Sequence, residues 1–132
     1  MLSEVPDVDP YITLVIDGDL PLDPVIHACL AAGKHDIIRA SNPKGALAKA
    51  EKFQPSLILL NCDLEGITGL ELLPELLMQA NGAAVIMMSS QPCIADAVEA
   101  MKNGAVDYLE LPVDAKKLTK VIDAHKAYFT AA

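Results

Sequence analysis

The chain has 132 residues, of which 52% are hydrophobic and 21% charged. That suits one domain with a substantial core and excludes intrinsic disorder. Ten Lys and Arg against eighteen Asp and Glu leave a net charge of -8, so the chain offers no basic face for direct nucleic-acid binding or for an anionic membrane.

Cys29, Cys62 and Cys93 are widely spaced and form no C-x-x-C pair. A zinc site of that pattern is therefore not written here, and reduced thiols in the cytoplasm are the expectation. The opening MLSEVPDVDP carries acids and two prolines, unlike a signal peptide. The longest apolar run, Ala83 to Met88, falls far short of the roughly twenty residues of a membrane span. Residues 1–10 read as a flexible lead-in and 11–129 as the domain.

Tyr11 to Ile16 is rich in β-branched residues and meets the acidic loop Asp17-Gly18-Asp19, which predicts a buried strand. Asp23 followed by Pro24 predicts a helix start, and Gly33 its stop. Val25, Ile26, Cys29 and Leu30 recur on one face of that helix. Asp36 to Arg39 is a short strand. Ser41 or Asn42 caps a second helix, with Pro43 in its first turn, running to about Lys52. Ser56 to Leu60 is a continuously apolar strand, as expected when both faces are covered.

After the loop 61–68, the string GLELLPELLMQA is helical in pattern, but an interior Pro74 costs roughly 3 kcal/mol. That predicts a helix starting late, near Leu72, or kinked at Pro74. Asn81-Gly82 is a turn and Ala84 to Met88 a fourth strand. Pro92 opens a helix to Asn103, with Gly104 as a left-handed stop. Val106 to Glu110 is a fifth strand. Asp114 caps a last helix reaching about Tyr128, with Leu118, Val121, Ile122 and Ala124 or His125 inward. Five strand–helix units in strict alternation predict a parallel sheet with helices on both faces.

The strings LVIDGD at 14–19, PSLILLNCDLEGITGLELL at 55–73, AVIMMSS at 84–90 and ADAVEAMKNGAVDYLELPVD at 95–114 resemble the receiver domain of two-component response regulators. The resemblance covers 11 to about 128. It implies a flavodoxin-like (βα)5 fold, a doubly wound five-stranded sheet of order 2-1-3-4-5.

Carried over residue by residue, the family's phosphoacceptor aspartate falls on Asn61. Its acidic pair falls on Asp17 and Gly18, and its lysine on Leu111, followed by the kept turn proline Pro112. The switch hydroxyl and aromatic are kept as Ser89 and Tyr108. The proline four places past the acceptor falls on Glu65. An amide is not a nucleophile comparable with a carboxylate, so Asn61 would not form an aspartyl phosphate. Gly18 and Asn61 remove two of the three charges that would hold Mg²⁺, and Leu111 removes the ammonium that would meet phosphoryl oxygens. These losses balance in charge, which points to a naturally altered pocket rather than one engineered substitution.

Asp17, Asp19 and Asp63 read as a remnant acidic pocket, solvated loop acids rather than a cation site. Cys62 reads as a small semi-buried residue, with no His or Lys beside it in sequence to activate the thiol. Cys29 and Cys93 read as helix-face packing, and His27, His35 and His125 as surface or edge residues. No Walker A or G-x-G-x-x-G string occurs.

The sequence therefore predicts no enzyme, no cofactor and no metal. It predicts a phosphorylation-independent receiver-like module in signalling or transcriptional control. Its expected surface is the face of helix four, strand five and helix five, with Asp96, Glu99, Lys102, Asp107, Tyr108, Lys116 and Lys117 exposed, for a protein partner or a second copy. The alternatives are phosphorylation at Asp63 or Asp19, or a small-molecule sensor in the altered pocket.

Overall fold

A computed structural model describes residues 11–17, 23–33, 35–64 and 67–124. The elements alternate as β1 (Tyr11–Ile16), α1 (Pro24–Ala32), β2 (His35–Ala40), α2 (Pro43–Phe53), β3 (Leu57–Asn61), α3 (Gly69–Gln79), β4 (Ala84–Ser89), α4 (Ile94–Lys102), β5 (Asp107–Glu110) and α5 (Ala115–Ala124). The strands form one parallel sheet of order β2-β1-β3-β4-β5, as the sequence predicts.

Period-two alternation sorts each strand between two cores. Leu14, Ile16, Ile58, Leu60, Val85 and Met87 face α2, α3 and α4, where they meet Ala46, Ala50, Leu72, Leu73, Leu76 and Ala100. Val15, Leu57, Leu59, Ile86, Met88 and Leu109 face α1 and α5, against Ile26, Leu30, Leu118 and Ile122. Every residue of β4 is buried, which is why it reads as an unbroken apolar run.

Local caps set most helix ends. The Asp23 carboxylate accepts from the amides of Val25 and Ile26, and the Asn42 side chain accepts from Gly45. Gly104 ends the α4 segment at φ 108, where a Cβ would also meet Leu77 Cδ1 at 2.7 Å.

Four expectations need correction. The helix α3 starts at Gly69, not near Leu72, because Thr68 and Glu71 form a reciprocal capping box there. Pro74 lies inside α3 on its exposed side, where water can serve the carbonyl that the proline leaves without a donor. The helix α4 starts at Ile94 rather than Pro92. Its cap is Cys93, which is exposed and accepts from the Asp96 amide through Sγ, so Cys93 is not helix-face packing. His35, on the edge strand β2, is buried and shares a 2.7 Å hydrogen bond between its Nδ1 and Thr13 Oγ1, so of the two expected placements the edge one holds and the surface one does not. Gly18, Asp19, Glu65, His125, Tyr128 and the lead-in 1–10 lie outside the described residues.

Candidate functional site

Parallel strands in shared register bring distant chain positions to one edge. Ile16 lies opposite Leu60, Asn61 opposite Met88, and Ser89 opposite Glu110. Asp17, Asn61, Ser89 and Leu111 therefore line the carboxyl edge of the sheet. Alternation splits them. Asn61 shares its parity with Leu57 and Leu59 on the α1/α5 face, and Leu111 packs against that same core. Ser89 shares its parity with Met87, and Tyr108 and Cys62 pack on the α2/α3/α4 face.

Asp17 and Asp63 are both engaged at this edge. Arg39 Nη2 donates to both Asp17 oxygens, at 2.8 and 2.7 Å. Strand register explains the meeting: Arg39 pairs with Val15 on the neighbouring strand, two residues before Asp17 and on the same face. Ser90 donates to Asp63 Oδ2 from its hydroxyl at 2.8 Å and from its amide at 3.3 Å. The Asp63 amide donates to Asn61 Oδ1 at 2.8 Å, closing a local turn. The Gln91 amide donates to Ser89 Oγ at 3.1 Å. Among the described residues, no three His, Cys, Asp or Glu side chains are grouped to hold a metal.

Behind this edge lies a second trio. The Tyr108 hydroxyl is buried and meets no partner with hydrogen-bonding geometry. Burial raises its pKa, while the nearby Ser89 hydroxyl opposes that rise. Burial, reinforced by the Asp63 charge, pushes the Cys62 thiol up to about 11. Cys62 is thus a poor nucleophile and packs as a small half-buried residue. The backbone is tight here as well: the Gly69 amide donates to the Cys62 carbonyl at 3.2 Å.

The expected interaction face is only partly as foreseen. Glu99, Lys102, Lys116 and Lys117 are exposed, but Asp96 and Asp107 are half-buried and Tyr108 turns its hydroxyl inward. What the sequence reasoning missed is apolar. Ile94, Val98 and Met101 are 84%, 50% and 48% exposed, and their four-and-three spacing stacks them into one stripe along α4. Missed too was Arg39, whose partner lies on another strand.

The model of the response regulator receiver domain family matches residues 13–123. The chain belongs to this family.

The receiver is 31% identical over 105 residues to the transcriptional regulatory protein ZraR of Klebsiella oxytoca, covering 80% of this chain and 24% of that protein. It is 30% identical over 99 residues to the protein PilH of Pseudomonas aeruginosa, covering 74% of this chain and 82% of PilH. The crystal structure of NtrX from Brucella abortus matches with a TM-score of 0.75 at 28% identity, over 92% of this chain and 28% of that one. A CheY-like receiver from Methanospirillum hungatei shares the fold with a TM-score of 0.82 at 22% identity, over 92% of this chain and 97% of that one. The receiver spans about a quarter of the length of the first curated regulators it matches. No helix among its described residues is long and apolar enough to cross a membrane.

The family resemblance implies Mg²⁺ at this edge, and the described residues do not fit it. Mg²⁺ requires oxygen ligands in near-octahedral array, usually including carboxylates. Here the Asp17 carboxylate already faces a guanidinium, Asp63 Oδ2 faces Ser90, and position 61 supplies an amide.

Proposed function

We propose that this receiver works without phosphorylation, as a protein-interaction module in signalling or transcriptional control. The observation that carries the reading is the residue closing β3. It is an asparagine, Asn61, at the edge position where the family places its acceptor. An amide nitrogen is neither anionic nor a good nucleophile, so no acyl phosphate forms on it. Phosphoryl transfer also depends on charge neutralisation by metal and lysine. Leu111 brings neither, and instead packs its half-buried side chain against the α1/α5 core.

Asp63 is a poor substitute acceptor. It is an exposed side chain two residues beyond the strand, with Oδ2 committed to Ser90. The apolar stripe on α4 supports an interaction role, because exposed apolar side chains stacked on one helix face fit partner docking better than solvation. ZraR is named as a transcriptional regulatory protein, which supports a regulatory setting for this domain.

Incubation with acetyl phosphate and Mg²⁺, followed by intact-mass measurement, tests the reading. The expected result is an unchanged mass. A labile gain of one phosphoryl group on any acid, Asp63 and Asp19 included, overturns it. If the gain appears, peptide mapping assigns the acid.

A further inference from the structure

We infer that Arg39 is the resident cation of this edge. Its guanidinium stands in for a divalent metal at Asp17 and keeps metals out whatever residue occupies position 61. The inference deepens the phosphorylation-independent reading and rests on it, but it makes a separate claim about a separate residue.

Arg39 sits opposite Val15 on the strand beside β1, so its side chain and that of Asp17 emerge from adjacent strands on one face. Nη2 then spans both Asp17 oxygens at 2.8 and 2.7 Å. A loose surface pair contributes little, because water screens it and the side chains lose entropy. This pair is not loose: the Asp17 side chain is 13% exposed and that of Arg39 is 37% exposed. A mostly buried carboxylate needs a counter-charge, and Arg39 supplies one permanently, since guanidinium does not deprotonate in proteins.

The strand end is reinforced from α2. Lys49 Nζ donates to the Arg39 carbonyl, which fixes the backbone that carries the guanidinium. A divalent ion approaching Asp17 would face a resident guanidinium and a carboxylate already neutralised. Restoring a carboxylate at position 61 leaves that barrier standing. The loss of the metal is thus written twice, once at Asn61 and once on a strand that carries none of the family's motif residues.

Binding of Mn²⁺ alone, followed by the electron paramagnetic resonance of the free ion, tests this on four proteins. They are the wild type, Asn61→Asp, Arg39→Gln/Asn61→Asp and Arg39→Lys/Asn61→Asp. The expected result is that Arg39→Gln/Asn61→Asp binds at least about tenfold tighter than Asn61→Asp, while the Lys variant, which keeps the charge, does not. Asn61→Asp binding as tightly as the Gln double variant overturns the inference, as does a folded Gln double variant with no gain. A wild-type measurement keeps the claim testable if that variant unfolds. The Arg39 guanidinium nitrogen resonances should stay unchanged through a Mg²⁺ titration, and a saturable shift of them overturns the inference. Phosphorylation of the wild type by acetyl phosphate would sink the proposed function instead, so the two failures are distinguishable.

Discussion

Ser90 Oγ donates to Asp63 Oδ2 at 2.8 Å, across the gap between the loop after β3 and the end of β4. The Asp63 amide in turn donates to Asn61. The two bonds stitch the loop across the edge of the sheet. Both side chains are exposed, so the bond is worth little individually. Ser90→Ala should lower stability by about 0.5–1 kcal/mol. Adding Asp63→Asn should cost less than the sum of the two single changes, because they share one interaction. Urea unfolding of the two single variants and the double checks this, and strict additivity would contradict it.

Gly69 tests how tightly α3 is pressed onto the strand end. A Cβ there would lie 2.8 Å from Cys62 Cα, 3.3 Å from the Asn61 carbonyl oxygen and 3.1 Å from Met87 Cε. The methionine end can move, but the two backbone atoms cannot without shifting β3. Gly69→Ala should destabilise the domain by about 1–3 kcal/mol. A thermal melt unchanged or raised by this substitution would show the contact to be looser than described.

The stripe on α4 separates binding from folding. Ile94 and Val98 are half or more exposed, so Ile94→Asp/Val98→Asp should change stability by no more than about 0.5 kcal/mol per site. The same double variant should lose any partner that the immobilised wild-type domain retains. Lys44→Glu, exposed on α2 and away from this face, provides a charge-changing control. Sedimentation of wild type and double variant tells whether a second copy of the chain uses the stripe. Retention of every partner by the double variant would move the interface elsewhere.

Cys62 gives a pH prediction. Its thiol rises from the ordinary 9.0 to about 11, chiefly through burial and then through the Asp63 charge. Tyr108 shifts in the same direction through burial. Both groups are neutral when protonated, so the folded state holds these protons more tightly than the unfolded state does. The Cys62 contribution to stability is fully present below pH 9.0 and is lost as pH rises through about 11. Near pH 8, Cys62 should react with iodoacetamide roughly tenfold more slowly than the exposed Cys93. Peptide mapping of a time course checks this, and equal rates would contradict it.

Much of this fold is legible in the residues, because its signals are local. Asp23-Pro24 and Asn42-Pro43 mark helix starts through short side-chain bonds. Leu57 to Leu60 are apolar at every position because both faces are covered. The start of α3 was legible too: the string from Thr68 to Glu71 carries the capping-box pattern, but the propensity cost of Pro74 outweighed it in the sequence reading. Cys93 gave no signal as a cap, since sulfur is a weak acceptor.

The site was legible only where one strand end carries one role. Asn61 and Leu111 can be placed by counting along the chain. The Arg39–Asp17 pair cannot, because it depends on the register between β1 and β2. The α4 stripe is legible as an apolar face, but spacing alone does not say whether a helix above covers it.

The most direct test of the central claim is a titration of the isotope-labelled domain with Mg²⁺ and beryllofluoride, followed by NMR. A phosphoryl mimic needs an anionic acceptor and a metal to seat it. The expected result is no saturable shift at Asp17, Asn61, Ser89 or Tyr108. Saturable shifts at those four residues would contradict it.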